Sequence, residues 1–295
     1  MPQSTVIPAP AGSPALKRFD HLIGGILIDA GRLKLEDAER ILHLQREQGL
    51  LFGDAALKLG LLTEADIQFA LSRQFNFPYL VRGESKVSED LIAAYARAGP
   101  QLEALRALRS QLMLRWFDND PTRKALAIVS GERREGRSYI AANLAVVFSQ
   151  LGQHTLLIDA DMRNSSQHKL FGLDNSGGLS EALSGRGGPV TIRHISGLPE
   201  LWVLPSGASP PNPLELLARP RFPQLLAELG QKFDVILLDS PAATDYADAQ
   251  TLAVRAGAAL IVARKNATRM WQVRGVSDSV AQGNATIVGT VLNDF

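Results

Sequence analysis

Cysteine is absent from the sequence, which excludes disulfides, thiol nucleophiles and cysteine-ligated zinc. No apolar run approaches the roughly 20 residues that a membrane-spanning helix needs. The N-terminus lacks a basic segment followed by an apolar core, so no secretory signal is legible. The expectation is a cytoplasmic chain that meets a membrane only through a partner. An excess of one charge is missing too. Lys and Arg number 31 against 30 Asp and Glu, a net charge of +1, which argues against bulk nucleic-acid binding. Tyrosine is scarce and scattered, at Tyr79, Tyr95, Tyr139 and Tyr246. What is present is ordinary globular material, 45% hydrophobic and 21% charged over 295 residues, enough for about two domains.

The chain is organised around 125–163. The apolar run 125–129 reads as a buried strand. Gly131-Glu132-Arg133-Arg134-Glu135-Gly136-Arg137-Ser138 follows, then an apolar stretch at helical spacing and a second buried strand ending in Asp159-Ala160-Asp161. Strand, glycine-containing turn, helix, strand is the P-loop order, whose pattern is G-x-x-x-x-G-K-[ST]. Backbone N–H groups of such a turn, together with the helix dipole, favour phosphate. Arg137 stands where the pattern has lysine; it keeps the charge but carries a planar fork of donors. Ser138 is placed to offer its hydroxyl to Mg²⁺. The run 233–238 is another buried strand, ending in Asp239-Ser240-Pro241, a Walker-B-like carboxylate suited to Mg²⁺. Asp159, Asp161 and Asp239 would all sit at strand C-termini, where open α/β sheets bind ligands.

Residues 1–18, rich in Pro, Ala and Ser, are expected to be disordered. A repeat follows: Leu22–Gln45 and Leu51–Gln74, each of 24 residues, are separated by five. Gly24 matches Gly53 and Gly31 matches Gly60. Gly60 suits a helix C-cap, Thr63 with Asp66 a capping pair, and Lys34, in the equivalent place, is a poor cap. Each repeat reads as a small helix–turn–helix, so 19–80 forms an all-helical domain. Residues 81–100 read as a linker, with turn signals at Arg82-Gly83 and Gly99-Pro100. An amphipathic helix is expected over 101–116. Beyond it, strands are expected at 125–129, 155–159, 200–204, 234–238, 258–263 and 286–291. Helices are expected at 137–151, 213–218, 220–230, 248–255 and 270–282, with a short surface helix at 177–185. This rhythm calls for an α/β domain, 101–295, with a mostly parallel sheet covered on both faces. His154, His168 and His194 suggest no chemistry.

The repeat resembles the MshEN domain of type II secretion and pilus ATPases, whose two 24-residue motifs have a five-residue spacer. That family binds cyclic di-GMP, which would place Gly24, Gly31, Gly53 and Gly60 at the ligand. The family's motif arginines correspond here to Leu22 and Leu51, so weak or absent binding is expected, and a docking or spacer role stands beside it.

The remainder resembles the bacterial tyrosine kinases of polysaccharide export, P-loop kinases related to MinD. Glu103, Arg106 and Arg109 fit the E-x-x-R-x-x-R helix ahead of the P-loop, and Leu156–Arg163 fits the second Walker-A-type motif. Gly178-Leu179-Ser180, 212–217 and Asp239-Ser240-Pro241 follow in the family's order. An MshEN-like domain joined to such a kinase resembles the EpsG type of exopolysaccharide operons. The resemblance implies ATP, Mg²⁺ and a separate membrane chain-length determinant, a polysaccharide co-polymerase, as partner. It implies a nucleotide site of Gly131, Glu135, Gly136, Arg137, Ser138 and Tyr139, with Asn293 at the adenine. Ser138, Asp161 and Asp239 would hold the metal. Arg137 would meet the phosphates, and Asp159 and Asp161 would orient metal or a tyrosine hydroxyl. Glu103, Arg106 and Arg109 would join subunits in a homo-oligomer. The family ends in a tyrosine cluster, whereas this sequence closes on Asn293-Asp294-Phe295, so weak or absent autophosphorylation is expected. Three readings stay open: a tyrosine kinase, a catalytically weak ATP-dependent switch, and, least favoured, a MinD- or ParA-like positioning ATPase. The last carries a second lysine early in the P-loop, where Gly131 and Glu132 stand here.

Overall fold

A computed structural model describes residues 23–74, 78–185 and 190–294. The expected disordered N-terminus, and Leu22, lie outside the described residues. The chain divides into two compact units, Met1–Pro78 and Tyr79–Phe295.

In the smaller unit the sequence repeat is a repeat of backbone. Helices α1 (Ile23–Asp29), α2 (Leu35–Gln48), α3 (Phe52–Lys58) and α4 (Glu64–Gln74) follow one another. α1 and α3 end alike: Gly31 and Gly60 adopt φ of +68° and +64°, where a side chain would be strained. The N–H groups of Gly31 and Arg32 return to Ile28 O and Leu27 O, and those of Gly60 and Leu61 to Leu57 O and Ala56 O. Thr63 and Asp66 cap α4 reciprocally: Asp66 Oδ2 accepts from Thr63 N at 3.0 Å, and Thr63 Oγ1 from Asp66 N at 3.3 Å. Lys34 makes no side-chain capping bond. Leu27, Ile41, Ala55, Ala56 and Ala70 form the buried centre. A Cβ on Gly24 would stand 3.2 Å from the Phe52 ring, and one on Gly53 3.3 Å from Ile67. These two glycines are therefore small because a neighbouring side chain fills the space.

In the larger unit, among the described residues, seven strands form one sheet in the order β3-β4-β2-β5-β1-β6-β7. They are β1 (Ala125–Ser130), β2 (Thr155–Asp159), β3 (Arg193–His194), β4 (Leu201–Leu204), β5 (Val235–Asp239), β6 (Ala258–Arg264) and β7 (Thr286–Asn293). All neighbours are parallel except the short β3, unforeseen in the sequence, which runs antiparallel to β4. Side chains alternate between faces. Leu126 and Ile128 of β1 join one buried cluster, Ala127 and Val129 the other. The first face is covered by α5 (Ile92–Tyr95), α6 (Pro100–Leu112) and α7 (Arg137–Gln150). The second is covered by α9 (Leu179–Ser184), α10 (Pro213–Ala218), α11 (Arg221–Gly230), α12 (Asp248–Ala256) and α13 (Met270–Gln282). The short α8 is Gln167–Leu170.

The segment 81–100 is not a linker. α7 is buried from Ile140 to Gln150 on all sides, and a helix apolar all round must be covered all round. Leu91, Ala93, Ala94 and Tyr95 supply that cover. Ala93 N donates to the buried Asn143 Oδ1 at 2.9 Å, and Gln150 Nε2 donates to Ala93 O at 2.9 Å. The expected helix over 101–116 is helical to Leu112, then widens into a π turn, Met113–Phe117. Trp116 Nε1 there donates to Ala125 O at 2.9 Å, fastening the turn to the start of β1.

Candidate nucleotide site

Three adjacent strands, β2, β5 and β1, end at one edge of the sheet. Parallel register sets Asp159 beside Asp239, and Asp239 beside Ile128. Two carboxylates are thereby brought together at the mouth of the turn between β1 and α7. Gly136 heads α7 with φ +87°, and Arg134 has φ +63°. The left-handed Gly136 turns the chain directly into a 14-residue helix whose N-terminus faces the site. A cleft of about 450 Å³ opens there, lined among others by Gly136, Arg137, Ser138, Tyr139, Asp161 and Tyr246.

Arg137 points inward. Nη1 donates to Ser130 Oγ at 2.7 Å, Nη2 to Asp161 Oδ2 at 3.4 Å, and Nε lies 3.4 Å from Asp239 Oδ1. The residue is 8% exposed. Asp161 keeps its other oxygen for the N–H groups of Arg163 and Asn164, at 3.2 and 2.8 Å. Asp239 Oδ2 accepts from Gln167 Nε2 at 2.7 Å.

Asp159, expected to orient metal or a tyrosine hydroxyl, turns one oxygen to the backbone. It is fully buried and absent from the cleft lining. Its Oδ2 accepts from Ser166 N and Gln167 N at 3.0 and 2.9 Å. Burial, reinforced by the neighbouring Asp239, pushes its carboxyl up to about 8. It props the loop that carries Gln167. Burial also raises Asp239, opposed first by Arg137 and then by bonds from Gln167 and Ser138.

Glu135 lines the cleft, but its side chain stays within the protein. Oε2 accepts from Glu132 N at 2.8 Å, and Oε1 accepts from the Thr268 hydroxyl. Gly131 lies behind the loop, its carbonyl accepting from Thr244 N and Oγ1 at 3.0 and 2.7 Å. Asn293, expected at the adenine, donates through Nδ2 to Glu135 O at 3.1 Å and so braces the loop. Tyr139 is half-buried, and burial raises its hydroxyl's pKa. Tyr246 lies under the Arg163 guanidinium, 3.9 Å from the ring centre, and Arg163 is held by the buried Asp248 at 2.8 Å. Glu103 is exposed, whereas Arg106 donates to Tyr79 Oη at 2.7 Å and Arg109 to Val147 O at 2.9 Å within the same unit.

Gln167 was missed by sequence reasoning. It is fully buried and its Nε2 ties Asp239 to Ser138 O at 3.0 Å. In the polar stretch Asn164–His168 nothing marks it as inward-facing. Arg133 and Arg134, also unassigned, line the cleft mouth, and Arg133 pairs with Asp245 at 2.7 Å.

No family model matches the chain. It is 32% identical over 209 residues to the tyrosine-protein kinase YwqD of Bacillus subtilis (strain 168), which covers 71% of this chain and 87% of that protein. The chain belongs to the bacterial tyrosine-protein kinases. It is 34% identical over 195 residues to the tyrosine-protein kinase ptk of Acinetobacter johnsonii, covering 66% of this chain and 26% of that relative's length. The kinase domain of the Escherichia coli tyrosine kinase ETK superposes with a TM-score of 0.67 at 31% identity, covering 72% of this chain and 82% of that one. The fold is thus the P-loop fold of these kinases. Among the described residues no helix is long and apolar enough to cross a membrane.

Proposed function

We propose that the larger unit binds ATP with Mg²⁺ and transfers the γ-phosphoryl group to a tyrosine hydroxyl, in exopolysaccharide synthesis or export. The observation that carries this reading is the meeting of a helix N-terminus, Ser138, Asp161 and Asp239 at one turn. The donor set fits Mg²⁺: Asp239 Oδ1 is buried with no hydrogen-bond partner, and the Ser138 hydroxyl stabilises the same carboxylate. Mg²⁺, which Ser138, Asp161 and Asp239 would hold, would supply charge neutralisation at the transferring phosphoryl group. The chain's own residues do the rest. The first turn of α7 presents N–H groups to the phosphates. Asp161, the one of the three carboxylates that lines the cleft, is placed to take the tyrosine proton. The tyrosine oxygen forms the new O–P bond, the bond to the β,γ-bridging oxygen breaks, and ADP leaves.

A second reading, a catalytically weak ATP-dependent switch, is favoured by the engagement of Arg137 with the carboxylates. A MinD-like positioning role is less favoured. Under either favoured reading the protein works at the inner membrane through a separate chain-length determinant and self-associates through the face that carries Glu103. The smaller unit serves as a docking or spacer domain with weak or no affinity for cyclic di-GMP.

Calorimetry with ATP and Mg²⁺, followed by phosphotyrosine detection with and without the partner, tests the main reading. Arg137→Ala removes a charge-assisted contact of about 1.5–3 kcal/mol, so affinity should fall roughly ten- to a hundredfold. Equal affinity of both forms overturns the role given to Arg137. Phosphotyrosine lost on Tyr246→Phe would identify the acceptor in the cleft. ATP binding without phosphotyrosine, with or without the partner, selects the switch.

A further inference from the structure

We infer that Arg137 is an internal counterion occupying the divalent-cation position between Asp161 and Asp239, so that a cation enters only as the arginine leaves. The inference rests on reading the cleft as a metal–nucleotide site, and goes beyond it by making one residue of this chain the metal's competitor.

The geometry is specific. Each carboxylate gives one oxygen to neutral donors: Asp161 Oδ1 to two backbone N–H groups, and Asp239 Oδ2 to Gln167. The other oxygens, Asp161 Oδ2 and Asp239 Oδ1, both lie 3.4 Å from the same guanidinium. Two anionic oxygens turned toward one cation are what a small hard metal takes, at about 2.0–2.1 Å. The guanidinium fills that position with little of its surface exposed.

The contacts suit displacement. Arg137 Nε and Asp239 Oδ1 are buried and neither has an aligned hydrogen bond, so charge holds this pair and direction does not. Only the bond to Ser130 Oγ, at 2.7 Å, is short. A lysine here would bring one compact ammonium. The arginine fork instead divides its nitrogens among Ser130, Asp161 and Asp239. It therefore competes for both metal-facing oxygens at once, which a point charge does less well.

The test uses the full chain without nucleotide. Mn²⁺, an oxygen-seeking stand-in for Mg²⁺, is titrated while free Mn²⁺ is read by electron paramagnetic resonance. Arg137→Met keeps the stem and removes the charge. It should bind Mn²⁺ at least about tenfold more tightly than the wild type, in line with the loss of one charge-assisted contact. Adding Asp239→Asn to Arg137→Met should return binding to the wild-type level. If Arg137→Met fails to fold by circular dichroism, Arg137→Lys carries the test and should tighten Mn²⁺ binding about threefold or more. Equal Mn²⁺ affinity of the wild type and the folded variant overturns the inference. Because no nucleotide is present, a separate failure to bind ATP would overturn the proposed function and leave the Mn²⁺ result standing.

Discussion

Gln167 offers the sharpest check on how the carboxylate nest is held. Its Nε2 donates to Asp239 Oδ2 at 2.7 Å and to Ser138 O at 3.0 Å, with the residue fully buried. Gln167→Leu keeps the volume and removes both donations. The bond to a charged acceptor is worth about 1.5–3 kcal/mol and the neutral one about 0.5–1.5 kcal/mol. Against this, Oε1 of Gln167 has no partner, and burying an apolar group in its place returns part of the loss. The expected net destabilisation is about 1–4 kcal/mol. The chain's three tryptophans, Trp116, Trp202 and Trp271, all lie in the larger unit. Urea unfolding followed by tryptophan fluorescence therefore reports on that unit alone. Gln167→Glu should be worse than Gln167→Leu, because it sets a further carboxyl against Asp159 and Asp239. A loss under about 0.5 kcal/mol for Leu, or a Glu variant as stable as the Leu one, would refute the reasoning.

Three further outcomes follow from named contacts. Asp66 is held below 3.8 by bonds from Thr63, with Arg32 assisting. A depressed folded pKa means the stabilisation is present above the unfolded value and lost as pH falls through the folded one. Asp66→Asn should therefore speed hydrogen exchange in the first turn of α4 at pH 7, by an opening cost of about 0.5–2 kcal/mol, and the difference from wild type should shrink as pH falls below 3.8. Cyclic di-GMP titrated into the full chain should show no dissociation constant below about 1 μM, equivalent to about −8 kcal/mol, because Leu51 stands at a motif arginine and offers neither charge nor a stacking plane. Glu103→Lys should lower the assembled mass in light scattering, since that side chain is exposed and pairs at the surface with Arg106 of its own helix, while Arg106 and Arg109 also bond elsewhere in the unit; an unchanged mass removes Glu103 from the interface.

The legible parts of this molecule are those in which chemistry and spacing coincide in a short window. β1, β2, β5 and β6 are buried on both faces, so each reads as a continuous apolar run bounded by turns. The turn 131–136 and the strand-end carboxylates were readable because P-loop spacing is local. What was hidden depends on residues far apart in the chain. The segment 81–100 looked like a linker from Gly83 and Gly99-Pro100. Its apolar members Val87, Leu91 and Tyr95 are four apart, but the run is short and lies between turn signals, and only the fold shows that they close over α7. Gly24 and Gly53 looked like ligand-approach glycines, but Phe52 and Ile67 fill the space beside them. Arg106 and Arg109 looked like interface charges because a helix pattern cannot show that Tyr79 and Val147 lie within reach. Gly178 was singled out only by resemblance. The structure supplies the reason: a Cβ there would stand 2.3 Å from Gly207 N and 2.4 Å from Pro205 O.

The charge balance at the cleft explains how a P-loop can carry arginine in the lysine position. Three carboxyls gather at the nest beside one guanidinium, and burial pushes Asp159 up to about 8 and raises Asp239. Arg137 faces inward, toward Asp161 and Asp239. The remaining cations that line the cleft are Arg133 and Arg134, both exposed at its mouth. Arg133 is partly neutralised by Asp245. Arg134 holds a left-handed backbone that few side chains other than glycine adopt. The charge that lysine supplies in the common pattern is thus divided here between two places. Arg137 faces the carboxylates, and Arg133 with Arg134 stands at the cleft mouth. If a cation displaces Arg137 as inferred, metal and nucleotide should bind cooperatively, each relieving a repulsion that the other would meet alone.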